Sequence, residues 1–375
     1  MTNPNMIYDV VVIGLGAVGS AALFQLSKSG KNVLGIDRYD PPHTLGSSHG
    51  ETRITRLAVG EGEDYVALAK RSHEIWREIE AETGVEIMTT TSGILLDSGT
   101  QPWAKHGSEG FWDRTVSFAK RQAVSHEILS PKSLKSRFPA FHLEPSGKVY
   151  LEHQAGFLRP ELAIKTQLEL ARKNGAHILV NMPVEELGKN GESILIRTRE
   201  GEIFARKVLL SAGGWIKDFL PEEEKTKYKI CRQVLHWLEI EEGFTGWKGY
   251  PVWMWGYGSE PENFIYGFPS LDGMTVKMAT ESFIEIQHPK YLNREVSPKE
   301  QEAFWRDKVE GKIQGLKRAF VKSVVCFYTV TVDARFIIKP LEEMENVLLV
   351  SACSGHGFKH SAALGERLAK ELIKG

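Results

Sequence analysis

The sequence predicts an α/β (α+β) chain in which a Rossmann-like parallel sheet is interrupted by a mixed, largely antiparallel one. Three observations carry this. Residues 8–13 are a β-branched apolar run that ends in a glycine-rich turn. Residues 232–283 are rich in aromatics and alternate in polarity, as antiparallel strands do. Strand-like and helix-like patterns alternate elsewhere, and a buried strand at 347–352 is followed by a closing helix at 362–374. At 375 residues the chain exceeds one ordinary core, so two domains are expected.

Taken in order, Tyr8 to Ile13 reads as a strand buried on both faces. Gly14, Gly16 and Gly19 then spell G-x-G-x-x-G, with Ala17 and Val18 opening a helix over 17–29. These glycines permit a tight turn, a close approach of backbone to a pyrophosphate, and close packing of helix on strand. The helix N-terminus directs N–H groups and its dipole at the phosphates. Residues 32–37 form the next strand, and Asp37 at its end can accept both hydroxyls of a ribose. Strand, turn, helix, strand and acid in one register make a dinucleotide site. They do not separate NAD from FAD.

Further along, residues 63–82 have the period of an amphipathic helix, with Tyr65, Leu68, Ile75 and Ile79 on one side. A second helix spans 158–174, from Arg159-Pro160-Glu161 to the stop at Gly175. Strands are expected at 178–180, 193–198 and 207–213, the last entering Gly213-Gly214-Trp215 as a second backbone approach to the nucleotide. Residues 299–312 read as helical and charged. The nucleotide domain is therefore discontinuous, residues 1–85, 145–220 and 325–375, with 86–144 and 221–324 forming the substrate domain.

Composition excludes several classes. Lys plus Arg number 47 against 48 Asp plus Glu, so a nucleic-acid partner is not expected. No apolar run approaches the roughly 20 residues of a membrane span. Residues 1–6 lack the charged-then-apolar order of a secretory signal, and a cytoplasmic protein is expected. Cys231, Cys326 and Cys353 are too few and scattered for a disulfide framework or a zinc site, and no metal is expected.

Several blocks together are more specific than the glycine fingerprint. They are Gly14-Leu-Gly-Ala-Val-Gly19, Pro41-Pro42-His43, Gly46-Ser-Ser-His-Gly-Glu-Thr-Arg53-Ile-Thr-Arg56, Gly60-Glu-Gly62, Gly156-Phe-Leu-Arg159, Tyr266-Gly-Phe-Pro269, Cys326-Phe-Tyr328 and Ser354-Gly-His-Gly-Phe-Lys359. In this order, over nearly the whole chain, they resemble the monomeric sarcosine oxidase and N-methyltryptophan oxidase family of flavoproteins. The resemblance implies FAD in a p-hydroxybenzoate-hydroxylase-like fold, a small amino acid substrate, O₂ as acceptor and a monomer. It implies a thioether from Cys326 to the flavin 8α-methyl. It puts Arg56 and Lys359 on the substrate carboxylate, Arg53 beside the flavin ring, and Lys277 near N5, where it assists oxygen. Tyr266 and Tyr328 would line the substrate pocket. Ser47, Ser48, Thr52, Val184, Gly213 and Trp215 would join the glycine turn in holding the cofactor, and the backbone of Gly355, His356, Gly357, Phe358 and Lys359 would meet its pyrimidine edge.

The residue types suit these roles, although each has a plainer reading. Arginine grips carboxylates through two parallel hydrogen bonds, yet two arginines without context are ordinarily a solvated pair. A cation at Lys277 would stabilise the negative charge that builds as O₂ is reduced, yet alternation also permits an exposed lysine there. Free cysteine is usually a small core residue, and tyrosines in strands usually pack. Glu281 stands where sarcosine oxidases carry a histidine, four positions after the lysine. It either lines the pocket, favouring a substrate with extra positive charge or donors and raising the amine pKa, or it is solvated. Ala334 and Arg335 after Asp333, and Trp253-Met-Trp255, also depart from the family and put sarcosine itself in doubt. The expected reaction is oxidation of a secondary or cyclic amino acid to an imine with release of peroxide. The alternatives are a dehydrogenase with another electron acceptor and a flavoprotein that has lost turnover.

Overall fold

The computed structural model describes residues 7–99, 103, 109–260 and 262–374. Ile7–Ile13 lies inside an eight-stranded sheet, flanked in parallel by Val33–Ile36 and Gly201–Leu210. His177–Leu179 and Met344–Ser351 extend the parallel part. Antiparallel strands Val184–Asn190, Ser193–Thr198 and Ile337–Leu341 complete it. Alternation along Ile7–Ile13 feeds two cores. Val10 and Val12 pack with Leu23, Phe24 and Leu364 from the helices Ala17–Ser27 and Ser361–Ile373, whereas Val11 and Ile13 pack with Ile196, Ile203 and Ile216 on the other face. Burial on both faces is why Val10 to Ile13 are all apolar.

A nine-stranded sheet forms the second layer. Tyr228–Ile240 pairs along its length with Leu316–Thr331 and on its other side with Thr275–Ala279 and Glu285–Ile286. Phe264–Gly267, Val252–Gly256, Gly93–Asp97, Lys148–Glu152 and His126–Leu129 follow in that order. These pairings are antiparallel except that of Gly93–Asp97 with Val252–Gly256. A third, small sheet joins Arg53–Thr55, Gly156–Leu158 and Met88–Thr90.

The expected strands and helices of the first layer are present, with small shifts. Leu158 ends a strand, and the helix starts at Pro160 because proline suits a first helical turn. The charged segment at 299–312 is shorter than expected, a helix Pro298–Phe304 ending in one wider turn, Trp305–Val309. Lys148–Glu152 and Leu316–Thr331 both belong to the second sheet, so sheet membership changes after residue 152 and after residue 331. Among the described residues no helix is long and apolar enough to cross a membrane, and no group of three or more His, Cys, Asp or Glu is placed to hold a metal ion.

Candidate active site

The turn after Ile13 opens onto a cavity that also meets Asp37, Arg53 and Trp215. Gly14 has φ 87°, and a Cβ there would lie 2.6 Å from the Ser211 carbonyl oxygen. A Cβ on Gly19 would lie 1.8 Å from the Gly14 oxygen. Only glycine lets the helix begin this close to the strand. Gly14, Gly16, Ala17 and Val18 line the cavity, while Gly19 supports the turn from behind. Asp37 is fixed at the wall by the N–H groups of Leu15 (2.7 Å) and Tyr39 (2.9 Å). Ser47, Ser48, Val184, Gly213 and Trp215 line the same space, with Trp215 edge-on to Tyr39 at 5.7 Å.

The cavity continues past Arg53 to Tyr328, Gly355, Gly357 and Phe358. Arg53 is held by the carbonyls of Ser47 (2.7 Å) and Thr52 (2.8 Å). Thr329 also lines it, and its hydroxyl has no hydrogen-bond partner among the described residues. Such a buried orphan is what a polar bound group would satisfy. A glycine turn at a helix N-terminus, a fixed acid and a fixed cation along one elongated space fit a flavin dinucleotide. Cys326 lies in the strand Leu316–Thr331, fully buried against Leu235, Trp237 and Ala279, while its neighbours Phe327 and Tyr328 line the cavity. Burial pushes its thiol pKa up, and Arg53 and Lys277 oppose that. Cys353 does line the cavity, and burial raises its pKa too.

Lys277 points inward from Thr275–Ala279. Its ammonium donates to the Gly50 carbonyl (2.5 Å), the Thr52 carbonyl (2.9 Å) and the Thr52 hydroxyl (2.9 Å), which meets the partner requirement of a buried cation. It also sits 4.6 Å from the Phe268 ring centroid. Burial first, and then Arg53, hold its pKa well below the ordinary lysine range. Thr52 thus braces Lys277 and does not line the large cavity. Neighbouring His49 is kept neutral, its pKa lowered to about 3 by burial and by Arg53.

A second, smaller cavity shares Arg53, Tyr328, Gly355 and Phe358 with the first. Arg56, Lys359, Tyr266, Glu281 and His356 line it as well. The Arg56 guanidinium meets both carboxylate oxygens of Glu61, at 2.8 and 3.0 Å, and donates to the Ala58 carbonyl at 2.5 Å. Lys359 donates to the His356 carbonyl (2.9 Å) and lies 3.7 Å from Glu61. The Tyr266 and Tyr328 hydroxyls are 3.3 Å apart, and burial pushes Tyr266 up to about 12 and Tyr328 well above its usual value. Both phenols are therefore neutral donors. The His356 Nε2–H donates to the Ala334 carbonyl (2.9 Å), and the ring stacks on Phe336.

Glu281 is 6 % exposed and faces this cavity beside Gly355 and Tyr328. The strand ends at Ala279, so the segment after it, not strand alternation, turns Glu281 inward. Of the Trp253-Met-Trp255 run, Met254 reaches the second cavity. Arg335 is at the surface, paired with Asp64 at 2.6 Å. Glu61 has no role in the sequence reading. An acid five residues beyond an arginine carries no local signal, although its Gly60-Glu-Gly62 block was one of those that mark the family.

The family profile described as FAD dependent oxidoreductase (DAO) matches residues 9–371. Monomeric sarcosine oxidase of Bacillus sp. (strain NS-129) is 35% identical over 372 residues, covering 98% of this chain and 93% of that protein. N-methyl-L-tryptophan oxidase of Yersinia pestis (strain Pestoides F) is 33% identical over 372 residues, 96% of this chain and 94% of that one. Among solved structures, NikD, an unusual amino acid oxidase essential for nikkomycin biosynthesis, shares the fold with a TM-score of 0.83 at 21% identity, over 99% of this chain and 95% of NikD. With the glycine turn, the cavity it opens and the cationic pocket beside it, these likenesses place the chain in the FAD dependent oxidoreductase family, among the relatives of monomeric sarcosine oxidase and N-methyl-L-tryptophan oxidase.

Proposed function

We propose that this protein oxidises a secondary or cyclic amino acid at the carbon beside its nitrogen, giving an imine and, from O₂, hydrogen peroxide. One observation carries the reading: Arg56 Nη2, beside Lys359, already holds both oxygens of a carboxylate in a cavity that adjoins the one opened by the glycine turn. FAD, when bound, supplies the chemistry by taking the hydride equivalent and delivering two electrons to oxygen. The chain's residues do the rest. Arg56 and Lys359 take the substrate carboxylate in exchange for Glu61. Phe264, Phe268 and Met254 offer an apolar wall to the N-methyl group or ring, and Tyr266 and Tyr328 offer neutral donors. Glu281 favours substrates with added positive charge or donors near the amine. Lys277 is the fixed cation for oxygen reduction.

In this reading, residues 1–85, 145–220 and 325–375 hold FAD. The N–H groups after Gly14 meet the pyrophosphate and Asp37 the ribose. The backbone of 355–359 meets the pyrimidine edge. The enzyme acts as a monomer in the cytoplasm. Cys326, next to the cavity-lining Phe327, would hold the flavin through a thioether to its 8α-carbon. Acid precipitation should therefore leave the yellow colour in the wild-type pellet and, for Cys326→Ser, in the supernatant. Wild-type colour in the supernatant rejects the tether.

Peroxide release from the aerated enzyme tests the whole reading against sarcosine, N-methyltryptophan, pipecolate, proline and glycine. Release with a secondary or cyclic member is the expected result. Substrate-dependent loss of flavin colour without air, but no peroxide in air, would instead mean another electron acceptor. No response to any member in either assay sinks the reading.

A further inference from the structure

Glu152 is a buried carboxylate that the reaction as described does not use. It ends the strand Lys148–Glu152 and is 1 % exposed. Its Oε1 accepts from the Leu57 N–H at 2.6 Å, and its Oε2 accepts from the Ala58 N–H at 3.0 Å and the Tyr150 hydroxyl at 2.9 Å. None of these three donors is a cation. Burying a carboxylate among neutral donors is costly compared with ending the strand on an apolar residue. The two amides it grips directly follow Arg56, and the Ala58 carbonyl takes the Arg56 Nη1. Arg56, Tyr150 and Glu152 also line one small cavity together.

We propose that Glu152 is a positioning residue for substrate binding: by clamping the N–H groups of Leu57 and Ala58, it fixes the Ala58 carbonyl that aims the Arg56 fork into the substrate cavity. The inference rests on the reading that Arg56 binds the substrate carboxylate. Three donors converge on this side chain, and a carboxylate, which only accepts, suits all three. A glutamine would keep the shape but turn an NH₂ group toward one of them. The 57–58 backbone would then shift, and the fork with it. Burial raises the Glu152 pKa, while the three hydrogen bonds and the nearby Arg56 charge pull it back toward the ionised form.

The test is a double-mutant cycle on the FAD-loaded protein. Propionate serves as the carboxylate probe, and its Kd is read from the visible absorption of the flavin. Glu152→Gln should weaken propionate binding about tenfold, the usual scale for hydrogen bonds to a charged group. It should change Kd less than about twofold when Arg56→Gln is already present, because the fork it aims is gone. With an amino acid substrate, KM should rise far more than kcat falls. Tyr150→Phe removes one of the three donors and should shift Kd in the same direction by about threefold. That variant decides the matter if Glu152→Gln does not fold. Equal weakening in both backgrounds would mean a general structural role and overturn the proposal. So would unchanged binding in folded, flavin-replete Glu152→Gln. If Arg56→Gln alone leaves Kd unchanged, the carboxylate reading of Arg56 falls and this inference falls with it.

Discussion

Replacing Lys277 by Met should slow reaction of the reduced enzyme with O₂ by about 10²–10³-fold, while anaerobic reduction by substrate changes less than about threefold. The argument is electrostatic. Electron transfer to O₂ creates negative charge in a water-poor site, where a fixed cation needs no reorganisation to respond. Lys277 is preset for this by three oxygen acceptors, two of them from Thr52 and one from Gly50. Met fits the surroundings of Phe268 and Trp237, so the charge is removed without gross repacking. Stopped-flow measurement of the two half-reactions separates the effects, and comparable slowing of both rejects the assignment. The pH dependence has a fixed sign. Burial lowers the Lys277 pKa, so its charge is present at low pH and lost as pH rises, below the range of an ordinary lysine. The wild-type oxygen reaction should slow with rising pH over that window, and the Met variant should lack this step.

What was legible in the sequence was what local pattern encodes. Val10 to Ile13 are all apolar because both faces of the strand are covered, and Gly14 and Gly19 are glycine because backbone oxygens leave no room for a Cβ. Asp37 follows from its place at a strand end. The second layer was harder to read. Leu316–Thr331, the long strand that carries Cys326, mixes exposed lysines and arginine with apolar residues along its first half. It therefore shows no clean period, and it is held by its pairing with Tyr228–Ile240. The helix Phe111–Arg121 has no counterpart in the sequence reading, although Phe111, Trp112, Val116 and Ala119 recur at helical spacing and pack with Leu57, Leu95 and Met254. Glu281 could not be oriented because the strand stops at Ala279. The couplings Arg56–Glu61 and Glu152–Ala58 depend on chain folding, the second across 94 residues, and neither leaves a trace in spacing.

The Arg56–Glu61 pair bears directly on binding, and Arg56→Gln should raise KM for the amino acid substrate by about 10²–10³-fold, with a much smaller fall in kcat. The KM effect comes from the pair that Arg56 forms with the substrate carboxylate. Truncating one partner of a buried, hydrogen-bonded charge pair costs about 2–5 kcal/mol, less what Arg56 gives up on leaving Glu61. Both side chains here are nearly inaccessible, 8 % for Arg56 and 4 % for Glu61. Glutamine is shorter and uncharged, so it loses both the charge-assisted contacts of Nη2 with a carboxylate and the Nη1 anchor on the Ala58 carbonyl. Lys359 cannot compensate. It lies 3.7 Å from Glu61 as a single point charge, and one of its donors is already given to the His356 carbonyl. Arg56→Lys should fall between wild type and Gln, because it restores charge without the fork. Steady-state kinetics on flavin-replete protein decide the outcome. A kcat loss with KM unchanged would move Arg56 from carboxylate binding to the chemical step, and equal behaviour of the Lys variant and wild type would show that charge alone matters there.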